Sequence, residues 1–565
     1  MPDPNSPDER IQSITAPPPD FVGTEEYIVG DFLDEGLVDL SDDELAKIPE
    51  RGKLFGRSSL MTFTTGLVDP FLTTIAIDMG ITGGQMGWLR ATTNLLSTLA
   101  QPFFGFISDT VQRRSIFIAL SSILYSSVWI LLLFINDVIM IIIMAGIISL
   151  AFSLGTPAWT ALLGEVTPIK IRGKIIATVN YFSQFSYILA TIIGGILLNF
   201  ISGQFSIGSR IFPLNMFLPI SLGLLTGFIS AFLILSFKEK KAKNRAKKLS
   251  QLIEEREKKQ PIKTTTKDSI VEKTQEADKD QLSKPSITVD KNDAIDKKIS
   301  DLQMKDKKRT FRVTLLVIRK ILTDWTFMKF TIVMSFQLFF MSMMWPLFPI
   351  RQRSDISANY FEIAIFSVLM GIATVLTIRY AGQISDLIGR KPQMFMNRLI
   401  LITMPLSYMF ASKVWHIMVI HVLICIPLGL NSAVMQAYLI DITPEKRRST
   451  YVGFYNMITG IMLFFGSLFG GYLVDFLMGE TLILGFSPFY AQYKAVTIAF
   501  AVGFVGRLIT AFPFLTLKEV KKFPYKLKDL PKLILKSKKL LAFASSVSLF
   551  LGITFIFMGA MGYLQ

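Results

Sequence analysis

Long apolar stretches, each bounded by short polar or basic connectors, recur along the chain from residue 58 to residue 516. A helix of about 20 apolar residues matches about 30 Å of hydrocarbon. Spanning segments must satisfy their own backbone hydrogen bonds, which favours helices over irregular chain. The pattern predicts six helical spans at 58–79, 85–108, 115–136, 138–164, 173–201 and 211–237. Six more fall at 325–350, 358–384, 393–412, 415–440, 449–475 and 492–516. The expected architecture is an all-α membrane protein of two six-helix halves.

The segments outside these spans are different in kind. Residues 1–52 are rich in Asp and Glu, with a Pro17-Pro18-Pro19 run, and lack the apolar mass that would offset the entropy of ordering. They read as a mostly disordered tail, with a short helix starting near Ser41, which has capping-box spacing to Glu44. A charged segment followed by a short apolar core is missing there, so a cleaved signal peptide is not expected. Residues 53–238 form the first half, 239–324 a charged linker and 325–517 the second half. Residues 518–565 comprise a basic stretch and the apolar run Leu540–Leu564, expected as a thirteenth span, with an interfacial helix as the alternative.

Composition adds the sign of the charge. The chain is 51% hydrophobic and carries a net charge of +16. Its Lys and Arg gather in alternate connectors: Arg113 and Arg114, Lys170 to Lys174, Arg390 and Lys391, and Lys446 to Arg448. Cytoplasmic loops carry such an excess, so these connectors and the N-terminus are expected on the cytoplasmic side of a cell membrane. Membrane topology, not nucleic-acid binding, accounts for the charge. Cys425 is the sole cysteine, and His416 and His421 are the sole histidines, so neither a disulfide nor a metal cluster is expected. The chain lacks a phosphate-binding loop and a nucleophile–His pair, which argues against an ATP-driven pump and against an enzyme, and implies no cofactor.

The halves repeat at a spacing of about 276 residues. Gly105-Phe-Ile-Ser-Asp109-Thr-Val-Gln-Arg113-Arg114 returns as Gly382-Gln-Ile-Ser-Asp386-Leu-Ile-Gly-Arg390-Lys391. Glu165-Val-Thr-Pro168 returns as Asp441-Ile-Thr-Pro444, Gly194-Gly195 as Gly470-Gly471, and Pro70 as Pro346. Internal repeats that each span a bilayer are the mark of secondary transporters, whose site lies between the repeats. On these motifs the chain, over about residues 55–517, resembles the major facilitator superfamily, whose loop between spans two and three reads Gly-x-x-x-Asp-Arg-x-Gly-Arg-Arg. Thr110 and Leu387 stand where the family carries the Arg after the Asp.

A carboxylate at the cytoplasmic rim can face the positive end of a helix in the other half, near Ser449 for Asp109 and near Gly173 for Asp386. Arginines beside it can pair with Glu165 and Asp441. Gly105, Asp109, Arg113, Arg114, Glu165, Arg172, Gly382, Asp386, Arg390, Lys391, Asp441 and Arg447 are therefore expected to form a cytoplasmic latch. The plainer role for the basic residues is to set topology.

Asp69, in Gly66-Leu-Val-Asp69-Pro70-Phe71, sits well inside the first span. An ionisable group at that depth is costly and marks a cavity or a partner. It is expected to couple proton or substrate movement to a conformational switch, with capping of a neighbouring helix as the structural alternative. Arg90 either pairs with Asp69 or reaches back to the surface. Glu362 and Arg507 read as interfacial or structural charges, although an anionic cargo would be sought at Arg90 and Arg507.

The resemblance implies that spans one, four, seven and ten line a central cavity. It points to Thr65, Thr156, Trp159, Gln337, Trp345, Asn431 and Gln436 beside Asp69, a mix suited to a small amphipathic solute. Two departures qualify the implied activity. Ala151 stands where the family's proton antiporters often carry an arginine in span four. Their span-five glycine–proline motif is here Ser186-x-x-x-Ala190-Thr191-x-x-Gly194-Gly195. Proton-coupled efflux of a small molecule is the leading expectation. Proton-coupled uptake of a sugar, organic acid or other metabolite is the alternative, and a transporter-like solute sensor is a further one.

Overall fold

The computed structural model describes residues 50–111, 113–167, 172–207, 210–237, 319–444 and 448–519, together with Ser545, Gly552, Thr554, Ile556 and Gly559. Nearly all of the acidic tail, of the linker and of the expected thirteenth span lies outside the described residues. The chain forms two compact units, residues 1–237 with 329–565, and residues 238–328. The first unit holds both sets of apolar helices. In the second, Asp324 accepts a hydrogen bond from the Phe327 amide at 3.2 Å and so caps the start of the next helix.

The first span is broken: α1 (Arg51–Val68) gives way to a single tight turn at Asp69–Phe71, and α2 (Leu72–Asp78) continues. Pro70 causes the break, because it has no amide hydrogen and its ring collides with the preceding turn. α3 (Gly83–Val111), α4 (Arg114–Val128), α5 (Val138–Val166), α6 (Arg172–Phe200) and α7 (Leu214–Leu235) follow. A hairpin of β1 (Gln204–Ile207) and β2 (Arg210–Pro213) joins α6 to α7, so the sixth span starts a turn later than its apolar run.

The second set repeats the plan. α8 (Trp325–Met343) breaks before Pro346 and resumes as α9 (Leu347–Ile350), which runs into a wide turn at Arg351–Asp355. α10 (Tyr360–Ile388), α11 (Arg390–Phe410), α12 (Val414–Ile442), α13 (Arg448–Ile483) and α14 (Pro488–Ala511) complete it. Among the described residues, 8 helical segments are long and apolar enough to cross a membrane. The other predicted spans coincide with α3, α10, α11 and α12. The protein is an all-α, multi-pass integral membrane protein.

Within the first set α1 packs on α6 and α7, α3 on α5, and α4 on α5 and α7. Within the second, α10 packs on α12, α11 on α12 and α14, and α13 on α14. The sets meet along α3 with α13 and α6 with α10. The repeated Gly-Gly pairs explain how. The first glycine of each pair lies against the broken helix of its own set, Gly194 on the Leu67 carbonyl and Gly470 on the Met343 carbonyl. The second lies against the other set, Gly195 on Ala364 and Gly471 on Gly83. No side chain fits at these approaches, which is why small residues build them.

The two ends of the bundle differ. At the end bearing Asp78, Gly83 and Ser357, here the capped end, the sets are tied together. Arg353 donates from Nε and a terminal nitrogen to the two Asp78 oxygens at 2.7 and 3.0 Å, and the Tyr360 hydroxyl adds a bond of 2.6 Å. The Gly84 amide donates to Asp475 at 2.8 Å, placing a carboxylate from one set at the helix start of the other. Trp88 donates to the Tyr472 hydroxyl at 2.9 Å.

The opposite end carries the repeated motifs. Two ion pairs of those motifs stay within a set. Arg114, the first residue of α4, meets Glu165 at 2.9 Å, and Arg390, the first residue of α11, meets Asp441 at 2.8 Å.

Candidate functional site

Both helix breaks open onto one cavity of about 820 Å³ between the sets. Asp69 and Trp345 occupy equivalent places, each immediately before its span's proline, and both line the wall. At a break the backbone leaves its ladder, so side chains there project into the space between the sets. Asp69 is exposed to the cavity, not sealed in packing. Arg90, Tyr125 and Tyr187 line the same part of the wall, with the Arg90 guanidinium as its charge partner. The Nε of Arg90 and the amide nitrogen of Asn94, one turn on, have no hydrogen-bond partner.

The facing wall is built by the second set. Gln352 donates to the Tyr408 hydroxyl at 2.8 Å, and that hydroxyl lies 3.2 Å from Nε2 of buried His421, whose Nδ1 has no partner. Arg507, on α14, donates to the carbonyls of Leu401 at 3.2 Å and Met341 at 3.3 Å, with a longer contact to Phe340 at 3.5 Å. The Phe340 and Met341 carbonyls belong to the last turn of α8, where a cation compensates unpaired acceptors. Arg398, on α11, also lines this wall and is 1% exposed. Apolar groups fill the rest, among them Phe348, Phe366, Met341 and Met404. The wall thus combines one carboxylate, three guanidiniums, neutral hydrogen-bonding groups and aromatic surface, which suits recognition of a small molecule.

The sequence matches the family model described as Major Facilitator Superfamily over residues 54–433 and 410–565. The chain belongs to the major facilitator superfamily. One curated relative, the class H tetracycline resistance protein of Pasteurella multocida, is 29% identical over 116 residues, which are 20% of this chain and 28% of that protein. The chain therefore spans well under two thirds of that relative in the match. Among solved structures, an inward-facing, occupied bacterial homolog of the human lysosomal transporter Spinster superposes with a TM-score of 0.56 at 13% identity, covering 82% of this chain and 95% of the other. A proton-dependent oligopeptide transporter gives 0.55 at 11%, with 86% and 99% covered. The nucleoside transporter NupG gives 0.52 at 12%, with 84% and 99% covered. These likenesses show the fold.

Of the residues singled out in the sequence, this facilitator brings Asp69, Arg90, Gln337, Trp345 and Arg507 to the cavity wall. Gln337 also accepts a bond of 2.7 Å from Thr510. Thr65 and Thr156 donate back to their own helices, to Thr62 and Phe152, and Trp159 carries the Arg57 guanidinium 4.4 Å above its ring. Asn431 does not line the cavity, and its side-chain oxygen is buried without a partner. Glu362 and Asn359 exchange bonds of 2.8 and 2.9 Å as a cap on α10. The side chains of Asp109, Arg172, Asp386 and Gln436, the packing around Gly382, and all of Arg447 lie outside the described residues. Arg351 is fully buried and meets Asp355 at 3.0 Å.

Sequence reasoning passed over Tyr125, Tyr187, Gln352, Tyr408, His421 and Arg398. Arg398 had a signal, a guanidinium in mid-span. The tyrosines had none, because an aromatic inside an apolar helix is ordinarily packing.

Proposed function

We propose that this facilitator moves a small solute by alternating access, exporting it in exchange for protons, with Asp69 as the proton-carrying group. One observation carries the reading: Asp69 stands at the break of the first span, open to a cavity between the two sets, beside Arg90 and Tyr125. Protonating Asp69 would release Arg90 from its charge partner and alter how the two sets attract each other across that space. The charge asymmetry of the connectors supports a cytoplasmic motif end. Closure at the capped end would then be the inward-facing state. The partial likeness to a tetracycline resistance protein favours export over uptake, and the repeated carboxylates Asp109 and Asp386 are the groups we propose to latch the motif end when it closes.

The test is solute counterflow and pH-gradient-driven flux in proteoliposomes, across sugars, organic acids, amino acids and amphipathic drugs. Wild type is expected to accumulate its solute along the proton gradient. Asp69→Asn is expected to retain counterflow and lose gradient-driven accumulation. Normal accumulation by the variant would remove Asp69 from the coupling step.

A further inference from the structure

Counting the charges on the cavity wall leads to a statement about cargo. Asp69 is its one carboxylate, against Arg90, Arg398 and Arg507. Asp69 and Arg90 face each other in the first set, which leaves two guanidiniums in the second set unbalanced. A buried cation without a counter-charge is among the most costly arrangements in a protein interior.

Arg507 has an evident structural task, because its donors satisfy carbonyls at the end of α8 and on α11. Arg398 has none. It is 1% exposed, and its one described hydrogen bond is a weak contact of 3.6 Å to the Met334 sulfur. Its Nε has no partner, and its guanidinium lies 5.2 Å from the centre of the Phe514 ring. Neither arginine forms an ion pair among the described residues. They are neighbours: Arg507 bonds to the carbonyl of Leu401, one helical turn beyond Arg398 on α11. Met341 and Met404 line the wall on this side, and such unbranched thioethers shift easily to admit a group.

We propose that Arg398, with Arg507 beside it, is the anion subsite of the cavity, and that the cargo is an organic acid whose carboxylate docks there. A guanidinium fork matches a carboxylate in two parallel bonds, which repay its desolvation only when the anion is present. Trp345, Phe348 and Phe366 supply the surface for an apolar or aromatic body. The carboxylate also offsets one of the two unbalanced positive charges in the second set, which lowers the cost of closing the sets around the cargo. This deepens the transport reading and rests on it, since it names the class of solute that the same cavity would carry.

The test uses the purified full-length chain and matched pairs of acid and primary amide on benzoate, cinnamate and 2-naphthoate bodies. Binding is measured by equilibrium dialysis. In wild type at least one acid is expected to bind about tenfold or more tighter than its amide, the scale of one charge-assisted hydrogen bond. Arg398→Gln should erase that preference, and Arg398→Lys should restore part of it. Without ligand, Arg398→Gln should melt at or above the wild-type temperature, since it removes an uncompensated buried charge.

No acid outbinding its amide in wild type, or a preference surviving in Arg398→Gln, would overturn the subsite. Counterflow separates the two claims. Acids that bind without exchanging would sink the transport reading and leave the subsite standing. Exchange of neutral solutes without acid preference would do the reverse.

Discussion

At the scale of single residues, the half-buried Glu519 shows how place outweighs type. It sits just past the last span, where the Lys391 amide, in the first turn of α11, donates to one of its oxygens at 3.0 Å. A carboxylate at a helix start is favoured by the dipole. Burial nonetheless dominates and moves the Glu519 carboxyl above its ordinary range, against the pull of Lys391 and Arg390. The folded state then holds this proton more tightly than the unfolded chain. Its contribution to stability is therefore largest at low pH and falls as pH rises from the ordinary glutamate range to the raised one. Melting curves of wild type and Glu519→Gln should diverge across that window and run parallel above it. Parallel curves throughout would show that Glu519 is solvated like a surface carboxylate.

Between elements, the two glycines of each repeated pair do different work, and substitution should separate them. Adding a methyl at Gly470 would force α13 away from the Met343 carbonyl inside one set. Overpacking of this kind costs about 1–3 kcal/mol. Gly470→Ala should lower the melting temperature in detergent. Adding a methyl at Gly471 instead pushes α13 from Gly83 of α3, in the other set. Gly471→Ala should fold with little loss and populate a state open at the capped end, read as faster alkylation of a cysteine placed at Trp88. Equal melting losses and unchanged alkylation in both variants would refute the division. The pairs themselves were legible as repeats in the sequence. Which glycine faced which neighbour was not, because that depends on how α6 and α13 are rotated about their axes.

For the molecule as a whole, closure at the capped end rests on a few polar ties across the sets. Asp78 takes two bonds from Arg353 and one from Tyr360, and Asp475 takes one from Gly84. Exposed single ion pairs contribute about 0–1 kcal/mol, but a bidentate pair with a tyrosine in the same network contributes more. Asp78→Asn should shift the balance towards opening at this end by about tenfold, equivalent to about 1.4 kcal/mol. Spin-label distances between the ends of α2 and α10 would report it. A double-mutant cycle with Arg353→Gln should be strongly non-additive if the pair acts as one clamp. An unchanged distance distribution in both single variants would place the closing energy in the α3–α13 and α6–α10 packing instead.

The sequence by itself determined the class, the helical spans, the repeat and the depth of Asp69. Each of these follows from spacing and chemistry along one dimension: twenty apolar residues fit a bilayer, and a proline inside them breaks a helix wherever the helix sits. Tertiary structure alone decided which groups share a wall. Tyr125 shares a wall with Asp69, and Arg507 meets the end of α8, only because helices from distant parts of the chain cross at particular angles. It also decided that Thr65, Thr156 and Trp159, all on spans expected to line the cavity, turn to other partners. A helix rotation of a third of a turn exchanges packing for a site, and no periodicity in an almost uniformly apolar span records that angle.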